Sequence, residues 1–212
     1  MNVLCVVVRD NFGQTVIFNE IFNDCCYNVT LSKPPMTILD LGANIGLATL
    51  FFHCKYPNAQ IACLEPVPEN FGLLDQNIQL NKVGARVFHA AAAIEDGFVN
   101  MELGAESGHH KVANISEENA SQNRIFRIPS LCISTVLSLL KWERVNLMKI
   151  DIEGYESILL TRNSDWLEKV DAICMEYHKE CSGSELKKIA FKRGFSCVRL
   201  KGNVWYLTRK AA

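Results

Sequence analysis

The chain has 212 residues, of which 49% are hydrophobic and 21% charged, a composition that suits one globular domain with a substantial core. Its formal net charge is −1 and its sequence pI is about 6.5, so electrostatics give no reason to expect a nucleic-acid or anionic-membrane partner. The expected partner is a small molecule, and the sequence leaves the oligomeric state open.

The cysteines and the N-terminal apolar run both favour a cytoplasmic protein. The nine cysteines are scattered, odd in number and without a C-x-x-C pair, which argues against a zinc site or a disulfide framework and indicates a reducing cytoplasm. The apolar residues 3–8 are too few to cross a membrane and are followed by Arg9 and Asp10. We therefore expect neither a signal peptide nor a membrane anchor.

The first 36 residues are interpreted as a hairpin and a cover ahead of the main domain. Residues 3–8 and 15–18 are rich in β-branched and apolar side chains, which predicts two strands joined through residues 11–13. An apolar cover over the site is expected to follow, formed by Ile21, Phe22 and Tyr27.

From residue 37 the pattern alternates between strands and helices. Strands are predicted at 37–40, 60–64 and 85–90, with helices at 44–56 and 67–80 between them. This β-α-β-α-β order, with right-handed crossovers, predicts a parallel sheet covered by helices on both faces.

Residues 94–129 interrupt this alternation. A strand is predicted at 97–103 and another before Pro129, with a polar stretch between them that contains His109 and His110. A substrate lid or specificity loop would lie here, with these two histidines as candidate substrate contacts, and a solvated loop is the alternative.

The C-terminal third returns to alternating elements and closes with a hairpin. Helices are predicted from 134, at 155–162 and at 184–193, and strands at 145–150, 172–177, 195–200 and 203–208. The pattern as a whole predicts a single α/β domain over residues 1–212, with seven sheet strands and a C-terminal antiparallel hairpin.

The turn after the first sheet strand is the strongest ligand-binding signal. Gly42 and Gly46 let backbone approach a ligand closely, and Asn44 tolerates a left-handed conformation. A dinucleotide G-x-G-x-x-G loop would need glycines at 44 and 47, where Asn44 and Leu47 stand. Glu65 ends the second strand, where an acidic side chain can accept both ribose hydroxyls. A nucleoside cofactor without a pyrophosphate, S-adenosylmethionine, is therefore the better candidate.

Three segments resemble the signature blocks of the FkbM-type S-adenosylmethionine-dependent methyltransferases: DLGANIG at 40–46, EPVPENF at 65–71 and KIDIEGYE at 149–156. The resemblance extends from about residue 19 to residue 177. It implies the class I methyltransferase Rossmann-like fold with sheet order 3-2-1-4-5-7-6. It also implies O-methylation of a hydroxyl on a sugar, polyketide or similar natural product, with S-adenosylhomocysteine as the second product.

The resemblance also assigns the cofactor contacts. It implies that the glycine turn surrounds the methionine part, that Glu65 with Pro66 beside it binds the ribose, and that two alanines after the third strand edge the adenine. The complete set of cofactor candidates is Asp40, Gly42, Ala43, Asn44, Gly46, Glu65, Pro66, Ala91, Ala92 and Asp151.

Methyl transfer to a hydroxyl also requires a group that removes the proton. Asp151 and His178 end neighbouring strands of a parallel sheet, so either is a candidate base, and Glu153 is a candidate substrate contact. A helix-capping role for Asp151 and a surface position for His178 are the alternatives. A divalent ion on Asp151, Glu176 and His178 is a further alternative that no spacing signature supports.

Two other functions stay open at this stage. The same scaffold would also serve an N- or carboxylate-directed methyltransferase, or a non-catalytic S-adenosylmethionine-binding module in a biosynthetic assembly.

Overall fold

The computed structural model describes residues 4–9, 12–102, 111–112, 125–178 and 183–209. The helices are α1 (Phe12–Phe18), α2 (Leu47–Lys55), α3 (Pro68–Leu80), α4 (Ile133–Leu140), α5 (Glu156–Thr161) and α6 (Gly183–Lys192). A π-helical turn, Asn19–Asn23, follows α1, and a 3-10 turn occupies Asp165–Lys169. Within these ranges no helix has the length and apolar character that a bilayer-spanning segment needs.

The strands form a main sheet and a smaller one. They are β1 (Thr37–Leu41), β2 (Gln60–Leu64), β3 (Arg86–Phe88), β4 (Ala91–Ala93), β5 (Gly97–Glu102), β6 (Lys111–Val112), β7 (Ile125–Cys132), β8 (Val145–Ile150), β9 (Val170–Glu176), β10 (Phe195–Lys201) and β11 (Val204–Arg209). The seven-stranded sheet has the order β3-β2-β1-β8-β9-β11-β10, in which only β10 and β11 are antiparallel to their neighbours. Counted along this sheet, the order is 3-2-1-4-5-7-6, so the predicted sheet and its terminal hairpin are confirmed.

The main sheet is buried on both faces, which explains why its strands are nearly continuous apolar runs. In β1, Leu39 and Leu41 belong to one core cluster while Ile38, on the opposite face, belongs to another. Helices α4, α5 and α6 supply side chains to the first cluster, and α2 supplies them to the second. The parallel strands therefore end together at one edge of a rigid two-sided core.

The predicted N-terminal hairpin is wrong. Residues 15–18 belong to α1, which runs directly into the π-helical turn. Ile17 and Ile21, four residues apart, pack into the same core cluster, and this helical spacing outweighs the β-propensity of the branched side chains. The observed cover of the site is helical.

Residues 4–9 have no regular structure, although they were predicted to form a strand within the hairpin. They are held instead by two asparagine side chains, Asn77 in the last turn of α3 and Asn81 directly after the end of this helix. Asn77 Oδ1 accepts from the Val7 amide at 2.7 Å, and Asn81 Oδ1 accepts from the Cys5 amide at 2.9 Å. Both asparagines also donate to the carbonyls of the same two residues. Side-chain amides thus replace the strand partner that the sequence pattern suggested.

The described parts of the 94–129 segment belong to the smaller sheet, of order β4-β7-β5-β6. The strand predicted from residue 97 is present as β5, whereas β7 continues through Pro129 to Cys132 instead of ending before the proline. His109 and His110 lie outside the described residues, and the lid function of this segment stays a prediction.

Candidate functional site

The turn between β1 and α2 needs its glycines for two different contacts. Gly42 has a φ of +75°, and a Cβ there would lie 1.8 Å from the backbone oxygen of Asp151. Gly46 has a φ of +91° and packs against Leu74. Asn44 between them also has a positive φ, of 52°. The turn is therefore pressed against the end of β8, which fixes the position of Asp151 relative to the backbone of the turn.

Glu65, at the end of β2, is only 3% exposed and accepts hydrogen bonds from backbone and side-chain donors. Its Oε2 accepts from the Asn44 amide at 2.7 Å, and its Oε1 accepts from the Val67 amide at 2.9 Å and from Asn70 Nδ2 at 3.4 Å. Burial raises the pKa of Glu65 to about 7, and these hydrogen bonds partly oppose the shift. A ligand that donates to this carboxylate would favour its ionised form.

A first pocket opens in front of Glu65, between the main sheet and the smaller one. Its lining consists of Gly42, Asn44, Glu65, Pro66, Val67, Asn70, Ala91, Ala92, Met101, Asp151, Ile152, Glu153 and Tyr155. Seven of the ten predicted cofactor residues are in this set; Asp40, Ala43 and Gly46 are not. Met101 comes from β5, so the smaller sheet contributes to this pocket. The residues that the sequence assigned to ribose and adenine are thus brought to one pocket.

Lys149, in the middle of the site, was not assigned a role from the sequence. It is 2% exposed, and its Nζ donates to the Gly42 carbonyl at 2.6 Å. It lies 3.2 Å from Oδ1 of the fully buried Asp40 and 3.5 Å from Oδ2 of Asp151. Burial alone would lower the pKa of Lys149, but these two carboxylates outweigh it and hold the pKa above its usual range. Asp40 therefore contributes through this buried ion pair and not through the first pocket.

A second and larger cavity, of about 880 Å³, lies on the other side of Asp151. Its walls come from the helical cover, the glycine turn, the ends of β8 and β9, and the β10–β11 hairpin. Ile21 and Tyr27, two of the three predicted cover residues, line it. The Tyr27 hydroxyl donates to Asp151 Oδ2 at 3.5 Å, so the cover is tied directly to the site.

His178 is surrounded by carboxylates on the wall of this cavity. Its Nδ1 is 3.0 Å from Glu156 Oε1, which is the orienting contact because the Glu156 side chain is almost fully buried. Its Nε2 lies 3.6 Å from Glu176, 3.7 Å from Glu153 and 3.9 Å from Asp151. Those three separations are longer than hydrogen bonds, so Nε2 faces acidic groups without bonding directly to any of the three.

The pKa values of this cluster follow from crowding of like charges in a half-buried place. Burial would lower the pKa of His178, but the Glu156 hydrogen bond and the nearby carboxylates raise it to about 9. Burial and the charge of Asp151 raise the pKa of Glu153 to about 7, and the same two causes raise the pKa of Glu176. At neutral pH and without a ligand, His178 therefore carries a proton.

The candidate catalytic residues Asp151 and His178 are brought together by this geometry. The substrate candidate Glu153 joins them because it follows Asp151 in a turn where it adopts a φ of 54°, rare for a residue other than glycine. One ligand atom from each of Asp151, Glu153 and His178 can be chosen so that all three lie within 4.8 Å of one another. Glu176, which the sequence grouped with Asp151 and His178, is a neighbour of this set and not a member of it.

Glu156 is also a contributor that sequence reasoning missed, and so is the hydrogen bond from Tyr27, predicted only as an apolar cover residue, to Asp151. The signal for Lys149 was its charge within the mostly apolar strand β8, since a lysine there must be buried with a partner. Glu156 occupies the first turn of α5, where acidic residues are common for reasons of helix stability alone. No pattern in the sequence distinguished it as a partner of His178.

Comparison with known proteins identifies the same core. The sequence model described as Methyltransferase FkbM domain matches residues 40–195. The chain is 29% identical over 181 residues to "Methyltransferase 1" of Beauveria bassiana (strain ARSEF 2860), which covers 76% of this chain and 72% of that protein. It is 27% identical over 220 residues to "31-O-demethyl-FK506 methyltransferase FkbM" of Streptomyces tacrolimicus, covering 89% of this chain and 84% of that one.

The solved structures support the fold. The chain superposes on an O-methyltransferase family protein from Burkholderia thailandensis with a TM-score of 0.56 and 9% identity, over 94% of this chain and 58% of that one. An identity this low is informative about the fold alone.

Proposed function

Because the chain belongs to the FkbM methyltransferase family, we propose that it transfers a methyl group from S-adenosylmethionine to a hydroxyl of a small molecule. One observation carries this proposal: Asn44, Asp151 and Glu153 line both the first pocket and the larger cavity. The first pocket encloses only about 60 Å³, so the nucleoside would lie in front of Glu65 and the methionine end would extend past Asn44 toward the larger cavity. The methyl group and an acceptor in that cavity would then meet at the shared wall. Transfer between two aligned reactants requires such an arrangement.

The residues of the first pocket suit the cofactor. Glu65 offers a buried carboxylate for the ribose hydroxyls, and Ala91 and Ala92 offer small apolar surfaces for the adenine. Asn44 Oδ1 is buried without a hydrogen-bond partner among the described residues, which leaves an acceptor for the polar methionine end. When bound, S-adenosylmethionine supplies a methyl group on a positively charged sulfur.

Proton removal is assigned to the wall of the acceptor cavity. His178 already holds a proton in the ligand-free site, so it is suited to donate a hydrogen bond and not to accept the proton of the hydroxyl. Asp151 lies beside Lys149 and faces the cavity, and we propose it as the open carboxylate that receives this proton.

A hydroxyl acceptor is supported by a relative and by the cavity. The name of the relative from Streptomyces tacrolimicus, "31-O-demethyl-FK506 methyltransferase FkbM", describes a methyltransferase whose substrate lacks an O-methyl group. The cavity of about 880 Å³ is large enough for a sugar or polyketide portion and has acidic groups that accept hydrogen bonds from hydroxyls. We further propose a cytoplasmic location, which the eight free cysteines of the described segments support.

The test combines cofactor binding with methyl transfer. Calorimetry with S-adenosylhomocysteine should show binding, and the cofactor with a labelled methyl group should label hydroxylated acceptors from a panel that also holds amines and carboxylic acids. Asp151→Asn should keep S-adenosylhomocysteine affinity within a few fold and lower turnover by about 100-fold or more. The control is Asp165→Asn, which removes the same charge from a side chain that is 98% exposed.

The outcomes separate the alternatives. Labelled amines or acids would replace the hydroxyl by another acceptor class on the same scaffold. Binding of S-adenosylhomocysteine without transfer to any acceptor would favour a non-catalytic module. No binding at all would contradict the proposal.

A further inference from the structure

We propose that Asp151, Glu153 and His178 form a binding site for one divalent cation on the wall of the acceptor cavity. The proposal rests on the proposed function, since it names the group that would activate the acceptor hydroxyl. It differs from the sequence-level alternative in its third ligand, which is Glu153 in the turn after β8 and not Glu176 at the end of β9.

The first argument is the spacing of the ligand atoms. An imidazole nitrogen and two carboxylate oxygens lie within 4.8 Å of one another. The closest approaches of His178 Nε2 to Glu153 and Asp151 are 3.7 and 3.9 Å. A cation with ligand bonds of about 2.1 Å separates neighbouring ligand atoms by about 3.0 to 4.2 Å, depending on the angle between the bonds. The gap between these side chains is thus of the size that a cation fills.

The second argument is the support behind the histidine. Glu156 accepts at one oxygen from the backbone amides of Ile152 and Gly154 and contacts His178 Nδ1, so the ring is held with Nε2 toward the cavity. Carboxylates that orient a metal-binding histidine in this way are common in metal sites. The other oxygen of Glu156 is buried without a hydrogen-bond partner among the described residues. The negative charge of this buried carboxylate is therefore only partly compensated by hydrogen bonds, and it adds to the negative charge around His178.

The third argument is charge and access. Asp151, Glu153 and Glu176 all face Nε2 across the cavity wall. The nearest buried cation, Lys149, is shared among Asp40, the Gly42 carbonyl and Oδ2 of Asp151, whereas Oδ1 of Asp151 is the oxygen that faces Nε2. The three ligand side chains are about one-quarter exposed. An ion can therefore enter from the cavity in exchange for the Nε2 proton of His178, which is released to solvent, and coordination positions remain open for an acceptor.

A bound cation would change which residue receives the proton of the acceptor hydroxyl. An acceptor hydroxyl bound to the ion loses its proton more easily, and with Asp151 engaged as a ligand the proton passes to the carboxylate of Glu176. The hydroxyl oxygen then forms its bond to the methyl carbon as the methyl–sulfur bond breaks, and the electron pair of that bond stays on sulfur. Glu156 acts as a positioning residue because it reaches the ion only through His178.

The experiment measures binding of Mn²⁺ directly, by calorimetry and by electron paramagnetic resonance of the free ion. The wild-type chain should bind one Mn²⁺ per molecule, with a dissociation constant low enough that the signal of free Mn²⁺ falls when protein and ion are each at tens of micromolar. Glu153→Gln and His178→Asn should each weaken binding by at least about tenfold, and Asp165→Asn should leave it unchanged. Circular dichroism and thermal unfolding show that each variant is folded.

The positioning role of Glu156 has its own readout. In metal-free protein with ¹⁵N-labelled histidine, measured above pH 10 where the ring is neutral, Glu156→Gln should shift the tautomer balance of His178. The same variant should weaken Mn²⁺ binding at neutral pH, whereas a purely structural effect would lower the melting temperature without changing the tautomer. Glu176→Gln keeps all three ligands, so it should weaken Mn²⁺ binding by no more than about threefold, less than the loss of a ligand does, and slow methyl transfer.

Absence of one-to-one binding up to millimolar Mn²⁺ would overturn the cation site, as would wild-type affinity in Glu153→Gln and His178→Asn. S-Adenosylhomocysteine affinity, measured on the same samples, reports on the proposed function separately. An enzyme that binds S-adenosylhomocysteine and methylates an acceptor without a bound ion loses only the present inference.

Discussion

The two halves of the site differ in how completely the protein satisfies its own charged groups. In the first pocket, Glu65 has donors on both oxygens from Asn44, Val67 and Asn70. On the wall of the larger cavity, Nε2 of His178 faces three carboxylates at 3.6 to 3.9 Å and bonds directly to none of them. The carboxylate of Glu65 therefore has its hydrogen bonds before a ligand arrives, whereas Nε2 of His178 needs a ligand as its direct partner.

The difference also follows the chain. Six of the thirteen residues that line the first pocket come from the turns after β1 and β2 and the start of α3, which are close in sequence, and the others come from β4, β5 and the turn after β8. The larger cavity combines the helical cover, the turn after β8 and the C-terminal hairpin, which are distant in sequence. A substitution can therefore affect one half without the other only at residues other than Asn44, Asp151 and Glu153, which line both.

The largest effect is expected where the two halves touch through backbone. In Gly42→Ala the new Cβ would meet the Asp151 carbonyl at 1.8 Å at a φ of +75°, so the turn or the end of β8 must move. We expect a loss of about 4 to 5 kcal/mol in the free energy of unfolding and loss of S-adenosylhomocysteine binding. Chemical denaturation and calorimetry measure the two.

Gly72→Ala is the matched control. A Cβ at Gly72 meets nothing within 4 Å, and the residue lies within α3, so alanine should stabilise the protein by up to about 1 kcal/mol. If both substitutions had similar effects, the contact between the turn and β8 would not be what fixes the two halves.

Much of the first half could be predicted from the sequence because its signals are local. A buried strand followed by Gly42, Asn44 and Gly46 is readable as a turn, and Glu65 falls where the next strand ends. The sheet order came from the family resemblance, whereas the terminal hairpin could be predicted from the strand pattern itself.

The second half could not be predicted as well because its contacts are long-range. The pairing of Glu156 with His178 and that of Tyr27 with Asp151 join segments that no sequence pattern connects. The helical cover was mistaken for a hairpin because β-branched residues favour strands until packing of Ile17 and Ile21 decides otherwise.

The next effect in size concerns Lys149, which bridges the halves by charge. Lys149→Met keeps most of the side-chain volume but leaves the fully buried Asp40 without its cation. We expect a loss of about 3 kcal/mol in the free energy of unfolding, measured by urea denaturation, because an unpaired buried carboxylate is costly.

The double variant Asp40→Asn/Lys149→Met tests that explanation. Removing the carboxylate as well should recover part of the lost stability, since no unpaired charge then remains. A double variant as unstable as the sum of the two single variants would mean that the ion pair is not the cause.

The smallest expected effect is the pH dependence of S-adenosylhomocysteine affinity. Each half contains a carboxylate whose pKa is raised to about 7, Glu65 in the first pocket and Glu153 on the wall of the larger cavity. Ribose hydroxyls would donate to the ionised form of Glu65, so binding of S-adenosylhomocysteine should favour loss of its proton. Affinity should then be nearly constant above pH 8 and fall by about tenfold between pH 8 and pH 6.

Calorimetry across this pH range should give that profile in the wild type and in Glu153→Gln, and a flat, weaker profile in Glu65→Gln. A profile that flattens in Glu153→Gln instead would place the titrating group on the acceptor side. Both acids have a pKa of about 7, raised by burial in Glu65 and by burial together with the charge of Asp151 in Glu153. The pH profile of the wild type alone therefore cannot identify which acid titrates, whereas the two variants can. A fall that follows Glu65 would show that the cofactor half responds to pH independently of the crowded carboxylates across the wall.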